Sequence, residues 1–188
     1  QTRVANYFPS SNVAFIAGDT NNSVNQILSA LPTFTKTHKG LTLCFVDPCN
    51  MGQLEFQTLE AIANALFVDF LVLIPTYMDI HRNQQNYTRP ENDALDKYLG
   101  SAEWRAQWAK VCKTRQDFGL FVADQFCMRM QSLGFLYEGL QDLELVRMES
   151  DQNLRLYHLA FFSRNSLGLK FWRDTRKNTN QQLSMLDY

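Results

Sequence analysis

Four consecutive residues, Asp47-Pro48-Cys49-Asn50, carry the groups best suited to chemistry in this sequence. They follow Leu41–Val46, a near-continuous apolar run with the length of a strand that is buried on both faces. Proline directs the backbone as it leaves such a strand, so the polar side chains beyond it face the crevice at the strand end. A carboxylate and an amide placed there could accept hydrogen bonds from an exocyclic amine. The alternative is a turn in which Asp47 accepts hydrogen bonds from nearby backbone amides.

The thiol of Cys49 has two interpretations. A thiol near a helix start can serve as a nucleophile. No histidine stands beside Cys49 in the sequence, however, and the alternative is a small residue without a chemical role. The four cysteines form no CxxC pair and only three histidines are present, so we expect no structural metal site.

A second polar strand end is Gly18–Asn21, which follows a predicted strand at Asn12–Ala17. In open α/β sheets, ligands bind outside the carboxyl ends of the strands. The Asp19 carboxylate is a good double acceptor for the diol of a ribose, and Asn21 beside it is a further candidate for cofactor binding. Alternatively, Asp19 joins Asn21 and Asn22 in capping the next helix.

A third strand end follows the apolar run Phe70–Ile74. Beyond it, Asp79, His81 and Arg82 could form an acid–base or anion-binding group. The alternative is solvated surface, because the segment Asp79–Arg89 is polar and irregular, which indicates a flexible loop.

The elements that position these groups alternate along the chain. Strands are predicted at Asn12–Ala17, Leu41–Val46, Phe70–Ile74, Leu140–Glu149 and Leu154–Arg164. Helices are predicted from Asn21 to Leu31, at Leu54–Phe67, Glu91–Leu99 and Ser101–Cys112, and from a capping box of Thr114 and Asp117 to about Leu133. Leu167–Arg176 forms a last short helix or lies over the sheet, before a loose tail. This order predicts an α/β, Rossmann-like domain spanning residues 1–188, with a helical and loop insertion at 79–115. We expect a mostly parallel sheet with helices on both faces and a C-terminal antiparallel hairpin, as in class I methyltransferases.

Composition sets limits on partners and compartment. The chain has 188 residues and a net charge of −1, so no overall field attracts polyanions. A local basic cluster at Lys170, Arg173, Arg176 and Lys177 could contact phosphate, or it is a solvated terminal segment. No apolar stretch approaches the ~20 residues that span a bilayer, and we expect no membrane association. Unpaired thiols are typical of the reducing cytoplasm, where we expect the protein to act.

The motifs together resemble a known family. The segments Cys44–Gly52, Leu73–Asn83, Tyr98–Gly100 and Tyr157–Gly168, with Lys170–Trp172, are similar to the three-Cys-motif partner proteins of bacteria. The resemblance extends from about Phe15 to Arg176. It implies a class I methyltransferase-like fold, S-adenosylmethionine as cofactor, and a three-cysteine-motif protein as partner.

The resemblance also implies roles for particular residues. Asp47-Pro48 stands where amino-methyltransferases carry an Asp-Pro-Pro-aromatic motif, with Cys49 and Asn50 in place of the second proline and the aromatic residue. Asp47, Pro48 and Asn50 are then catalytic. Cys49, Pro75, Tyr77, Asp79 and Arg82 are then the substrate-binding residues. The family's first strand ends in a glycine-rich turn close to the cofactor, and this sequence supplies neither. Either the sequence lacks that segment, or the protein has lost the cofactor site.

Two functions follow from this sequence. The first is S-adenosylmethionine-dependent methyl transfer to a nucleobase or another amine, with Asp19 at the ribose and Asp47 and Asn50 at the target. The second is a non-catalytic Rossmann-like partner that binds another protein or nucleic acid. The polar strand ends favour the first function, and the missing glycine-rich turn favours the second.

Overall fold

A computed structural model describes residues 13–32, 40–112, 117–148 and 153–186, with the side chains of the last helix as far as Lys177. The strands are β1 (Thr42–Val46), β2 (Val68–Ile74), β3 (Glu144–Met148) and β4 (Leu154–Phe162). The α-helices are α1 (Val24–Ala30), α2 (Phe56–Ala65), α3 (Gln84–Tyr87), α4 (Ala94–Leu99), α5 (Trp104–Val111), α6 (Phe118–Ser132) and α7 (Ser166–Leu186). Short 3-10 turns lie at Thr20–Asn22, Met51–Gln53 and Leu140–Asp142, and a π-helical turn lies at Thr76–Ile80.

The described strands form one open sheet in the order β1-β2-β4-β3. β1 and β2 are parallel, with α2 between them in the chain, whereas β4 runs antiparallel to both β2 and β3. The prediction of an α/β fold with a C-terminal hairpin is therefore confirmed. The expected mostly parallel sheet is not found in the described strands, since one of their three pairings is parallel.

Helices cover both faces of the sheet, as predicted. On one face, Phe70 and Phe162 are paired neighbours, and both contact the ring of Phe135, which follows α6. Consecutive strand residues point to opposite faces, so Phe161 lies on the other face, where it stacks on Trp172 of α7. The two sides are called the α6 face and the α7 face below.

The α7 face is open at the edge strand. Leu43 and Phe45 of β1 are on this face, in line with Asp69 and Leu71 of β2, and they remain 65% and 58% exposed. Helix α7 instead lies over the hairpin, where Trp172 donates its indole N–H to the Asp142 carbonyl. The α7 face of β1 is thus apolar, and no described element covers it.

The predicted first strand is wrong for the residues that the structure describes. Residues 13–17 form no strand, Asn12 lies outside the described residues, and Val13 and Phe15 are about half exposed. An isolated extended segment cannot satisfy its own backbone groups, so an apolar run becomes a strand only where another strand lies beside it. The prediction of a loose C-terminal tail is also wrong, because the backbone of α7 remains helical to Leu186.

Candidate functional site

The Asp47 side chain lies at the end of β1, as the sequence predicts. It is exposed and follows the strand directly, while Pro48 beside it is buried. Among the described residues, no group donates a hydrogen bond to the Asp47 carboxylate, and the Asn50 amide likewise has no partner. The alternative in which Asp47 bonds to nearby amides is therefore not the arrangement in this part of the chain. Both groups are available to a ligand.

Cys49 contributes to the site mainly through its backbone. Its N–H donates to Gln53 Oε1 at 2.9 Å, which holds the turn after Pro48 in place. The side chain is exposed, and its thiol has no partner among the described residues. No described side chain therefore contacts the Cys49 thiol in a way that would activate it as a nucleophile.

The Asn21 side chain bonds the Gly18–Asn21 segment to the start of α2. Its Oδ1 accepts from Glu55 N at 3.0 Å and from Thr58 Oγ1 at 2.8 Å, and its Nδ2 donates to the Gln53 carbonyl at 3.3 Å. These bonds satisfy both oxygen lone pairs and one of the two amide protons. Asn21 was predicted to bind a cofactor, but the structure shows it as a positioning residue that brings Asp19–Asn22 next to the β1 tip.

Asp19 acts as a cap in the structure. Its Oδ1 accepts from Asn21 N at 3.0 Å and its Oδ2 accepts from Asn22 Nδ2 at 3.2 Å. It thereby caps the 3-10 turn Thr20–Asn22 and not the next helix, α1, whose N-cap is Ser23. A carboxylate has about four acceptor positions, so two remain. Because Asp19 is exposed, these positions are accessible to a ligand hydroxyl.

A cavity of about 270 Å³ lies between the two segments. Thr20 contributes to its wall from one side, and Asp47 and Pro48 contribute from the other. A second cavity of about 480 Å³ adjoins it, since Thr20 and Ile27 line both. The fold therefore brings the Gly18–Asn21 segment, which follows no strand in the described residues, next to the end of β1, almost thirty residues further along the chain. Burial raises the pKa of Cys44, which lines the smaller cavity, so this thiol remains protonated.

The residues that follow β2, the third strand end of the sequence analysis, do not line this cavity. Asp79, predicted to bind substrate from a flexible loop, is buried and accepts hydrogen bonds from three internal donors. These donors are Met51 N at 2.9 Å, Tyr87 OH at 2.8 Å and Asn83 Nδ2 at 2.7 Å. The loop prediction is wrong because this carboxylate organises the π-helical turn and α3 around itself. Burial, followed by the hydrogen bond to Asp79, raises the pKa of Tyr87.

Pro75, Tyr77 and Arg82 are also separate from the cavity beside Asp47. Pro75 and Tyr77 are buried, whereas Arg82 is exposed and has no partner among the described residues. The Tyr77 hydroxyl accepts from Arg155 Nη1 at 3.1 Å, and the same guanidinium lies 4.4 Å from the ring centroid. Tyr77 thus faces the β3–β4 hairpin, away from the predicted amine site.

His158 is a buried polar residue that the sequence reasoning missed. Its Nδ1 lies 2.9 Å from Thr76 Oγ1, which ties β4 to the turn after β2. Burial lowers the pKa of His158 to about 4. The available signal was a single histidine within the apolar strand run Leu154–Phe162.

The pKa of His158 predicts a loss of stability in acid. In the unfolded chain His158 binds a proton below its usual pKa of 6.5, whereas in the folded chain it stays neutral until the pH falls to about 4. The free energy of unfolding should therefore fall as the pH drops from 7 to 4, by about 2 kcal/mol from this residue. Urea unfolding across this range should show a shallower pH dependence for His158→Gln than for the wild type. Parallel curves would contradict the prediction.

The two arginines of the basic cluster near the C-terminus are paired with acids. Arg173 pairs with Asp142 at 3.0 Å and with Glu138 at 2.6 Å, and Arg176 pairs with Glu144 at 2.6 Å. These contacts hold α7 on the hairpin. The arginines of this cluster are therefore engaged internally, which favours neither of the two sequence interpretations.

The described residues contain neither a cluster suited to a metal ion nor a membrane-spanning helix. No three His, Cys, Asp or Glu side chains of the described residues stand close enough to share a metal ion. No helix in the described part of the chain has the length and apolar character needed to cross a membrane.

The chain matches no protein-family model, no curated protein and no solved structure.

Proposed function

We propose that this protein is a Rossmann-like, methyltransferase-type domain that transfers a methyl group from S-adenosylmethionine to an amine such as that of a nucleobase. The observation that carries the proposal is the Asp47 carboxylate. It is exposed at the β1 tip, has no partner among the described residues, and lines a cavity shared with Thr20. A group left without internal bonds at a strand end is the pattern expected of a ligand-binding residue.

The sheet supports the same class of protein. A parallel pair followed by an antiparallel hairpin, in the order β1-β2-β4-β3, agrees with the closing strands of a class I methyltransferase sheet. Asp47-Pro48 ends the first strand of this set, where the resemblance to amino-methyltransferases places the amine-binding motif. Fold alone does not define a function, so the site carries the argument.

The residues around the two adjoining cavities fit the adenosine part of the cofactor. Ile27, Leu54 and Leu59 offer apolar wall to a base, and Asp19 keeps two acceptor positions for ribose hydroxyls. Most small-molecule sites measure ~300–1,000 Å³, and the adjoining cavities of about 270 and 480 Å³ lie within or close to that range. S-adenosylmethionine would supply an activated methyl group.

The protein's own contribution is mainly positioning. Asp47 and Asn50 would accept hydrogen bonds from the target amine and thereby direct its lone pair toward the cavity. Pro48 fixes the backbone between them. Holding two reactants in a near-attack geometry can supply roughly 7–11 kcal/mol of a reaction barrier. The methyl carbon would bond to the amine nitrogen as its bond to sulfur breaks, S-adenosylhomocysteine would leave, and the Asp47 carboxylate would take the proton that the methylated amine loses.

Titration calorimetry with S-adenosylmethionine tests the proposal. We expect saturable binding by the wild-type chain and loss of binding in Thr20→Trp, because the indole would fill the shared wall of both cavities. Asn25→Trp is the matched control, since Asn25 is exposed on α1 and lines neither cavity. Absence of heat at millimolar cofactor would overturn the proposal, as would equal affinity of the two variants.

A second candidate is a non-catalytic partner that binds a three-cysteine-motif protein or nucleic acid. The observation that favours it is the internal use of two predicted ligand-binding residues, since Asn21 and Asp79 both hold the fold together. Binding of nucleic acid by the wild type, combined with no response to S-adenosylmethionine, would favour this candidate.

A further inference from the structure

Two arginines face each other across the hairpin. Arg147 of β3 and Arg155 of β4 are paired residues in the sheet register, and both are exposed. Like charges directly opposite one another destabilise a strand pair. Among the described residues, Arg147 has no hydrogen bond or ion pair, and Arg155 has one hydrogen bond, to the Tyr77 hydroxyl. No carboxylate of the described residues bonds to either guanidinium, and Arg155 is held by the Tyr77 hydroxyl and ring.

An irregularity in the strands places Arg155 next to Tyr77. Residues 155 and 158 are three apart, so in a regular strand their side chains would point to opposite faces. The register shifts between Val146 and Arg147, which pair with Tyr157 and Arg155. β4 therefore has one extra residue at this point, a β-bulge. As a result Arg155 and His158 both contact the Tyr77 ring, at 4.4 Å and 5.8 Å. Bulges of this kind commonly re-aim a side chain beside a functional site.

The surroundings leave the pair with a positive charge. Glu144, the nearest acid on β3, is bonded to Arg176 at 2.6 Å. Asp117 lies 3.6 Å from the exposed His81, whose ring is in turn 5.9 Å from Tyr77. Both arginines are thus exposed, one Arg155 donor is used by Tyr77, and no carboxylate of the described residues is bonded to either guanidinium.

The pair lies at the same edge of the sheet as the candidate amine site, with β2 between them, although Tyr77 itself faces away from that site. Because β4 is antiparallel to β2, its first residues lie at the carboxyl end of β2, where Tyr77 follows. Arg155 is therefore at the same edge of the sheet as Asp47. A ligand that spans this edge would meet acceptors at one end and arginine donors at the other.

We propose that Arg147 and Arg155, supported by Tyr77, bind the phosphodiester backbone of a single-stranded nucleic acid. Guanidinium groups match phosphate oxygens in geometry and charge, and an anion between the two arginines would remove their repulsion. The choice of nucleic acid over a free phosphate rests on the proposed function, because a nucleobase amine near Asp47 would bring its backbone with it.

Fluorescence polarisation with a labelled single-stranded oligonucleotide of 12 nucleotides tests this site. We expect R147Q/R155Q to weaken binding roughly tenfold and to lower the slope of log affinity against log salt by about 1.4, the value for two lost phosphate contacts on a single strand. K170Q/K177Q is the matched control. It removes the same charge from exposed positions on α7, and we expect it to bind like the wild type.

Three results would overturn the proposal. These are no oligonucleotide binding by the wild type, equal losses in the two double variants, or displacement of the oligonucleotide by inorganic phosphate at the same phosphate concentration. The exposed side chains allow both variants to fold, which their melting temperatures would verify. The assay contains no cofactor, so its outcome is separate from the calorimetric test of S-adenosylmethionine binding.

Discussion

Replacing Asp79 by alanine is expected to lower the free energy of unfolding by about 4 kcal/mol, because the buried carboxylate satisfies three donors at once. Its loss would leave the Met51 amide and the Tyr87 hydroxyl buried without an acceptor. The effect should be measured as a shift of the urea unfolding midpoint at constant slope. The turn after Asp47 would also loosen, since Met51 N is its point of attachment to Asp79.

Two variants separate the carboxylate from its partners. Tyr87→Phe removes one donor and keeps the carboxylate bonded to the other two, so we expect a loss of about 1 kcal/mol. Asp79→Asn keeps the size of the side chain but directs an N–H₂ group toward donors. We therefore expect it to lower the free energy of unfolding nearly as much as Asp79→Ala does. An unfolding midpoint for Asp79→Ala within error of the wild type would disprove the role assigned to this residue.

Replacing Gly119 by alanine is expected to destabilise the protein by about 3 kcal/mol, although the same change inside an exposed helix stabilises by about 1 kcal/mol. A Cβ atom at this position of α6 would lie 2.7 Å from the Thr76 carbonyl oxygen. That oxygen cannot move easily, because it accepts the His81 N–H at 2.8 Å within the π-helical turn. The helix would have to shift away from the turn and from the core beneath it.

Gly52→Ala is the control for this prediction. Its added Cβ would meet only the end of the Asn50 side chain, at 3.3 Å, so we expect a change within about 0.5 kcal/mol. Thermal unfolding of both variants would distinguish them by several degrees. Equal or higher stability of Gly119→Ala would show that α6 does not depend on this close approach.

The strands and helices of the core were predictable because their signals are local. An apolar run of strand length predicted β1 and β2, and turn residues between two extended runs predicted the β3–β4 hairpin. The Asp47-Pro48 tip was predictable for the same reason, since a strand end is marked by the residues beside it. The segment at residues 13–17 was not, because a strand also requires a hydrogen-bonded neighbour that the local sequence does not name.

The use of each polar group was decided by the tertiary structure. Asp47 and Asp79 are both acids after apolar strands, yet one stays exposed without a partner and the other is buried under three donors. Their difference depends on which distant residues the fold brings near, and hydrogen bonds between such residues leave no periodic trace in the sequence. The sequence by itself determined the α/β order and the position of the candidate tip. Only the packing decided that Asn21 and Asp79 hold the fold together while Asp47 remains available to a ligand.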